Sequence, residues 1–131
     1  MPTTATWGRH TYMLRDALHG GIDAIPPGAL PSDIASKEVW ECTRLVISDR
    51  VKSPSDRAHC LLLIVEGLVD IANRSGGVEL ITLTRPALVR ALRQLGFAAS
   101  RIGEPYRNSG DGREYAVLHM PAMSSYRIAA E

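Results

Sequence analysis

Apolar and polar positions follow two periods along this chain, and the changes between them predict its elements. In "TYMLRDALHGG" the apolar Tyr12, Met13, Leu14, Ala17 and Leu18 precede Gly20 and Gly21, which predicts a short helix with a glycine stop. "EVWECTRLVIS", residues 38–48, is rich in β-branched and aromatic residues and reads as a strand. A helical period follows: Leu61, Val65, Leu68 and Ala72 share one face, with Leu62 and Val69 beside them. Ser53 suits its N-cap, Pro54 its first position, and Asp56 completes a Ser-x-x-acid box. Gly76 and Gly77 end that helix. "VELITL", residues 78–83, is a mostly apolar strand of the kind covered on both faces. In "TRPALVRALRQLGF" a further helix is predicted, capped by Thr84 or Arg85 and closed by Gly96.

The two last strands, "RIGEPYR" and "REYAVLHM", flank the turn-rich "NSGDG" and predict a hairpin. Pro105 makes the first of them an edge strand or a bulged one. "MPTTATWGRH" and "IDAIPPGALPSD" read as loop and connection, and neither marks a domain boundary. Helix, strand, helix, strand, helix, strand, strand is the order of a single α/β (α+β) domain over 1–131, a mixed sheet with helices against it.

The chain's 131 residues are long enough for a real core, and its net charge of +1 with no basic tail argues against a general nucleic-acid binder. With 5% aromatics, a base-stacking surface is also disfavoured. Cys42 and Cys60 read as buried reduced thiols. The four histidines form no ligand pair, so no metal site is expected. The N-terminus lacks an apolar signal core, and the longest apolar run, residues 60–65, is too short to span a bilayer. A cytoplasmic protein is the expectation.

Charge inside the strand at 38–48 is the first chemical signal. Glu41 and Arg44 lie three apart, which places them on opposite faces of a regular strand; a bulge would bring them to one side. They read either as a structural ion pair or as a site, with Glu41 a general base whose pKa burial raises and Arg44 limits. Arg90 and Arg93 share one helical face, either solvated or a docking patch for an acidic partner. Thr82 interrupts an apolar strand; its hydroxyl bonds nearby backbone or points into a ligand tunnel.

Taken together these motifs resemble the acyl-homoserine-lactone synthases, the autoinducer synthases of bacterial quorum sensing. "VWECTRLVIS" is similar to that family's W-E-x-S-R-F strand, with Thr43 for the usual serine and Leu45 for the usual phenylalanine. "MPTT" followed by "YMLRD" resembles its L-P-T-T … Y-M-L-R-D segment, and "RALRQLGFAASRIGEPYRNSGDGREYAV" resembles its C-terminal part. The resemblance implies an N-acetyltransferase-like fold, here lacking the family's N-terminal strands and helices. It implies an acyltransferase without a bound cofactor. An acyl chain passes from acyl-carrier protein, or from acyl-CoA, to the amine of S-adenosylmethionine, and lactone closure follows.

By motif, the resemblance implies that Glu41 matches the glutamate that assists amine deprotonation and Arg44 the arginine two residues past the strand's cysteine. Thr82 falls where a Ser or Thr of some members contacts a 3-oxo group, and Arg90 and Arg93 lie on the helix implicated in carrier-protein docking. The wider superfamily cradles the coenzyme A pyrophosphate with a glycine-containing loop. Here that loop, "DRVKSPSD", has no glycine, which favours a carrier-protein donor. Because the chain starts inside the L-P-T-T segment, an exposed sheet edge, an apolar patch and self-association are expected. Two alternatives stand beside the enzyme: a truncated, non-catalytic relative that binds acyl chains, carrier protein or a full-length synthase, and an unrelated acetyltransferase-like domain using coenzyme A.

Overall fold

Four strands form one mixed sheet in the order β1-β2-β4-β3 in a computed structural model that describes residues 1–6 and 8–125. The strands are β1 (Val39–Glu41), β2 (Glu79–Thr84), β3 (Ser100–Arg107) and β4 (Glu114–Pro121). β1 runs parallel to β2, whereas β2–β4 and β3–β4 are antiparallel. The helices are α1 (Met13–Leu18), α2 (Pro54–Arg74) and α3 (Ala87–Gln94), with a 3-10 turn at Pro27–Ala29. Trp7, in the expected N-terminal loop, lies outside the described residues.

Local chemistry sets most boundaries as the sequence predicts. Ser53 Oγ accepts the Asp56 N–H at 3.0 Å and Pro54 opens α2, while Gly76 ends it at φ 84°. Gly96, at φ 97°, closes α3. The cap of α3 differs from expectation: Pro86 occupies the N-cap with no side-chain bond, and Thr84 is the last residue of β2. The amides that a cap would satisfy find backbone partners instead: Leu88 N–H donates to Arg85 O at 3.0 Å and Val89 N–H to Pro86 O at 3.1 Å, so the hydroxyl of Thr84 is not needed there.

β3 is an edge strand, and its register with β4 shifts between Ile102 and Tyr106, around Pro105. Gly103 has φ 69°, and a Cβ there would lie 2.2 Å from the Ala29 carbonyl oxygen. The 3-10 turn therefore lies directly against β3. At the opposite edge, Thr3 N–H donates to Val39 O at 2.8 Å and Glu41 N–H to Met1 O at 2.8 Å. The bare sheet edge expected from the sequence is corrected accordingly: residues 1–3 line β1 and the 3-10 turn meets β3.

Each face of the sheet carries its own core. On one, Leu61, Val65, Val69 and Ala72 of α2 pack with Leu80, Leu118 and Met120. On the other, Tyr12, Leu14 and Ala17 from the α1 region pack with Ile81 and Val117. The alternation Leu80/Ile81 and Leu118/Val117 distributes successive side chains to the two faces. Among the described residues, no helix is long and apolar enough to cross a membrane.

Candidate functional site

The β1–β2 ladder ends early, and the site forms where it ends. The strand expected over residues 38–48 stops at Glu41. Cys42 N–H still donates to Ile81 O at 2.9 Å; beyond it Arg44 takes a left-handed backbone, φ 61°, and the chain leaves the sheet. That conformation is uncommon for a residue with a Cβ and costs on the order of 1 kcal/mol. Departure of the strand leaves the Cys42 carbonyl without a ladder partner. Thr82 Oγ1 donates to it at 2.6 Å and extends the tie between the strands by one residue.

A cavity of about 440 Å³ opens in this gap, between the segment from Cys42 to Leu45, β2, α2 and α3. Its interior is apolar: Leu68 and Val65 from α2, Leu80 from β2, Leu88 and Leu92 from α3, Leu118 and Met120 from β4. Arg44 and Arg85, both exposed, line it as well. Burial pushes the Cys42 thiol up, so this side chain stays protonated and serves as apolar lining.

Glu41 points elsewhere, which corrects its expected place in a cleft beside Arg44. The alternation of β1 turns it to the α1 face, where it is 4% exposed. Its two carboxylate oxygens accept the N–H groups of Met13 at 3.1 Å and Leu14 at 2.9 Å. It thus holds the first turn of α1, satisfying amides that the helix cannot. Burial pushes its pKa up, and the two amides partly offset that rise. Among the described residues Glu41 and Arg44 form no ion pair, so the structural reading of the two as a salt bridge is corrected too.

The structure brings Arg44 and Thr82 together at the cavity and leaves the other expected site residues apart from it. Arg90 lies exposed on α3. Arg93 Nε donates to Ala99 O at 2.7 Å, so its guanidinium also fastens the turn after α3. Sequence reasoning missed Arg85, Leu118 and Met120 as lining residues. The alternating pattern of β4 was legible, but which face meets a cavity depends on where β1 diverges. No group of three or more His, Cys, Asp or Glu able to hold a metal occurs among the described residues.

The framework is a mixed sheet whose first two strands part over an apolar cavity, with helices on both faces. No family model matches the sequence. The chain is 31% identical over 80 residues to an acyl-homoserine-lactone synthase of Acinetobacter baumannii, covering 57% of this chain and 44% of that protein. With the acyl-homoserine-lactone synthase of Acinetobacter nosocomialis it is 28% identical over 115 residues, 84% of this chain and 57% of that one. The chain thus spans about half the length of the curated relatives it matches.

Among solved structures, apo TofI matches with a TM-score of 0.72 at 23% identity, over 99% of this chain and 62% of that one. The AHL synthase LasI matches with a TM-score of 0.70 at 22% identity, over 98% and 59%. BjaI, a CoA-dependent acyl-homoserine lactone synthase solved with SAM and isopentyl-CoA, matches with a TM-score of 0.59 at 14% identity, over 79% and 47%. The chain has the fold of the acyl-homoserine-lactone synthases, and the resemblance read from its motifs is to that family.

Proposed function

We propose that this chain forms the acyl-chain-binding part of an acyl-homoserine-lactone synthase-type acyltransferase. In this reading it accepts an acyl chain from acyl-carrier protein or acyl-CoA, for transfer to the amine of S-adenosylmethionine and lactone closure. The observation that carries it is the apolar cavity where β1 leaves β2, with Arg44 held at φ 61° on its wall. A cavity lined by leucines gains free energy from each buried methylene, roughly 0.8 kcal/mol. The parting strands also leave backbone N–H groups after Cys42 outside the ladder, where they are donors for a thioester carbonyl as it gains negative charge. Relatives named as synthases of this type support the reading.

Arg90 provides an exposed positive charge on α3 for an acidic carrier protein, with Arg93 beside it. The glycine-free loop before α2 favours that donor over a nucleotide. Arg57 Nη1 ties this loop down by donating to Ser48 O at 3.1 Å and Val51 O at 2.9 Å.

A second reading, the non-catalytic acyl-binding relative, is favoured by one specific observation. Among the described residues lining the cavity there is no carboxylate and no histidine to take a proton from the amine. One assay separates the two readings. The protein is mixed with S-adenosylmethionine and a panel of acyl-carrier-protein and acyl-CoA thioesters, and acyl-homoserine lactone is sought by mass spectrometry, with Glu41→Gln and Arg44→Ala alongside. Product lost in Arg44→Ala supports the enzyme. Product that persists in Glu41→Gln confines Glu41 to holding α1. Binding of acyl donors without product from any of them selects the non-catalytic reading.

A further inference from the structure

The outer face of α2, turned away from the sheet, carries two features that the single chain does not use. Leu63 and Ile71 stand 58% and 57% exposed on it, against the ordinary preference of large aliphatic side chains. Midway between them, four residues from each, lies Gly67, also exposed. Glycine is the poorest helix former after proline, and nothing in the chain asks for one here: a Cβ at Gly67 meets no atom within 4 Å. At spacings of four the three positions adjoin along the helix surface as one ridge. A glycine set between two exposed aliphatic side chains lets a second helix approach more closely than the usual ~8–10 Å between axes.

We infer that two copies of this chain pair through α2, helix against helix and antiparallel, about a two-fold axis at Gly67. The ridge is its own complement. Leu63 and Ile71 are equally far from Gly67, so the two-fold sets Leu63 of each copy against the partner's Ile71. Charge fits the same arrangement. Arg74 lies seven residues past Gly67 and Asp56 eleven before it, and both are exposed. In antiparallel helices Arg74 and the partner's Asp56 fall at the same end of the contact, roughly 6 Å apart along the axis, within the reach of an arginine. Arg74 Nη2 lies 2.9 Å from Asp70 Oδ2, and the guanidinium keeps further donors for a second carboxylate. That centred symmetry selects a second copy as the occupant. One helix from each copy buries less than the ~1,000 Å² of a stable interface, so the pairing is weak, with a Kd on the order of 100 μM, and dilute protein is single. The inference does not depend on the acyl-chain reading.

The test is sedimentation equilibrium of the full chain from about 10 μM to about 1 mM, where the mean mass is expected to rise toward that of two chains. Leu63→Asp, at an exposed position, keeps the wild-type circular dichroism and stays single at every concentration. Gly67→Ala weakens pairing about tenfold and yet stabilises the dilute single chain, opposite effects that a glycine serving the fold alone does not show. Disulfide cross-linking in a Cys42→Ala/Cys60→Ala background reads the geometry. Leu63→Cys mixed with Ile71→Cys cross-links, while either alone does not, because identical positions then lie eight residues, about 12 Å, apart along the axis. A mass that stays at one chain throughout overturns the inference and leaves this face to a partner of another kind. Pairing that survives in Leu63→Asp overturns it as well, since another surface then carries the contact. So does Leu63→Cys that cross-links to itself as readily as to Ile71→Cys.

Discussion

Glu41 shows how one carboxylate can be legible as a charge and not as a role. Its oxygens sit on the amides of Met13 and Leu14, where burial disfavours ionisation and Asp16 adds to that cost. The same burial, reinforced by Asp33 and Glu41, pushes Tyr12 up to about 12. Glu41→Gln keeps one acceptor for two amides and is expected to cost ~1–3 kcal/mol in urea denaturation at pH 5. The sign of the pH dependence follows from its raised pKa. The unfolded chain ionises near the ordinary 4.5 while the folded chain holds its proton longer, so wild type loses stability as pH rises through the folded value. Glutamine does not titrate. The gap between wild type and Glu41→Gln therefore narrows from pH 5 to pH 8, and a gap that widens contradicts this account.

At the scale of elements, local signals worked where local energies decide. The serine cap, the proline after it and the glycine stop of α2 concern bonds within a few residues, and all three were readable. Gly67 is an exception inside that helix: a Cβ at this position meets nothing within 4 Å. Gly67→Ala is expected to stabilise the protein by roughly 0.5–1 kcal/mol, seen as a higher urea midpoint at unchanged slope. A destabilised variant shows instead that this helix face is covered in solution, where Leu63 and Ile71 are also exposed. β1 is the element most shortened relative to expectation. Its β-branched composition continues through Ile47, but strand pairing needs a neighbour, and β2 is left behind after Cys42.

Across the whole molecule, β2 and β4 link the two cores because their successive side chains enter opposite faces. Ile81, fully buried, stands in register with Glu41 on one side and His119 on the other. Ile81→Ala is expected to cost about 2–5 kcal/mol, and to lower the midpoint of one cooperative transition monitored by both circular dichroism and tryptophan fluorescence. Separate transitions for the two probes mean that the cores unfold independently.

The sequence by itself determined the helices and their stops, the hairpin around "NSGDG", the bulge at Pro105 and the α/β class, because each depends on spacing, capping or backbone freedom within a short stretch. Its motifs also carried the resemblance to the synthases. Tertiary structure alone decided that β1 ends at Glu41, that Glu41 turns to α1 while Arg44 and Thr82 meet a cavity, and that the Thr82 proton is already taken. Those outcomes depend on which strands stay paired and which part. That is a competition between backbone bonds, side-chain burial and distant partners that no local pattern encodes.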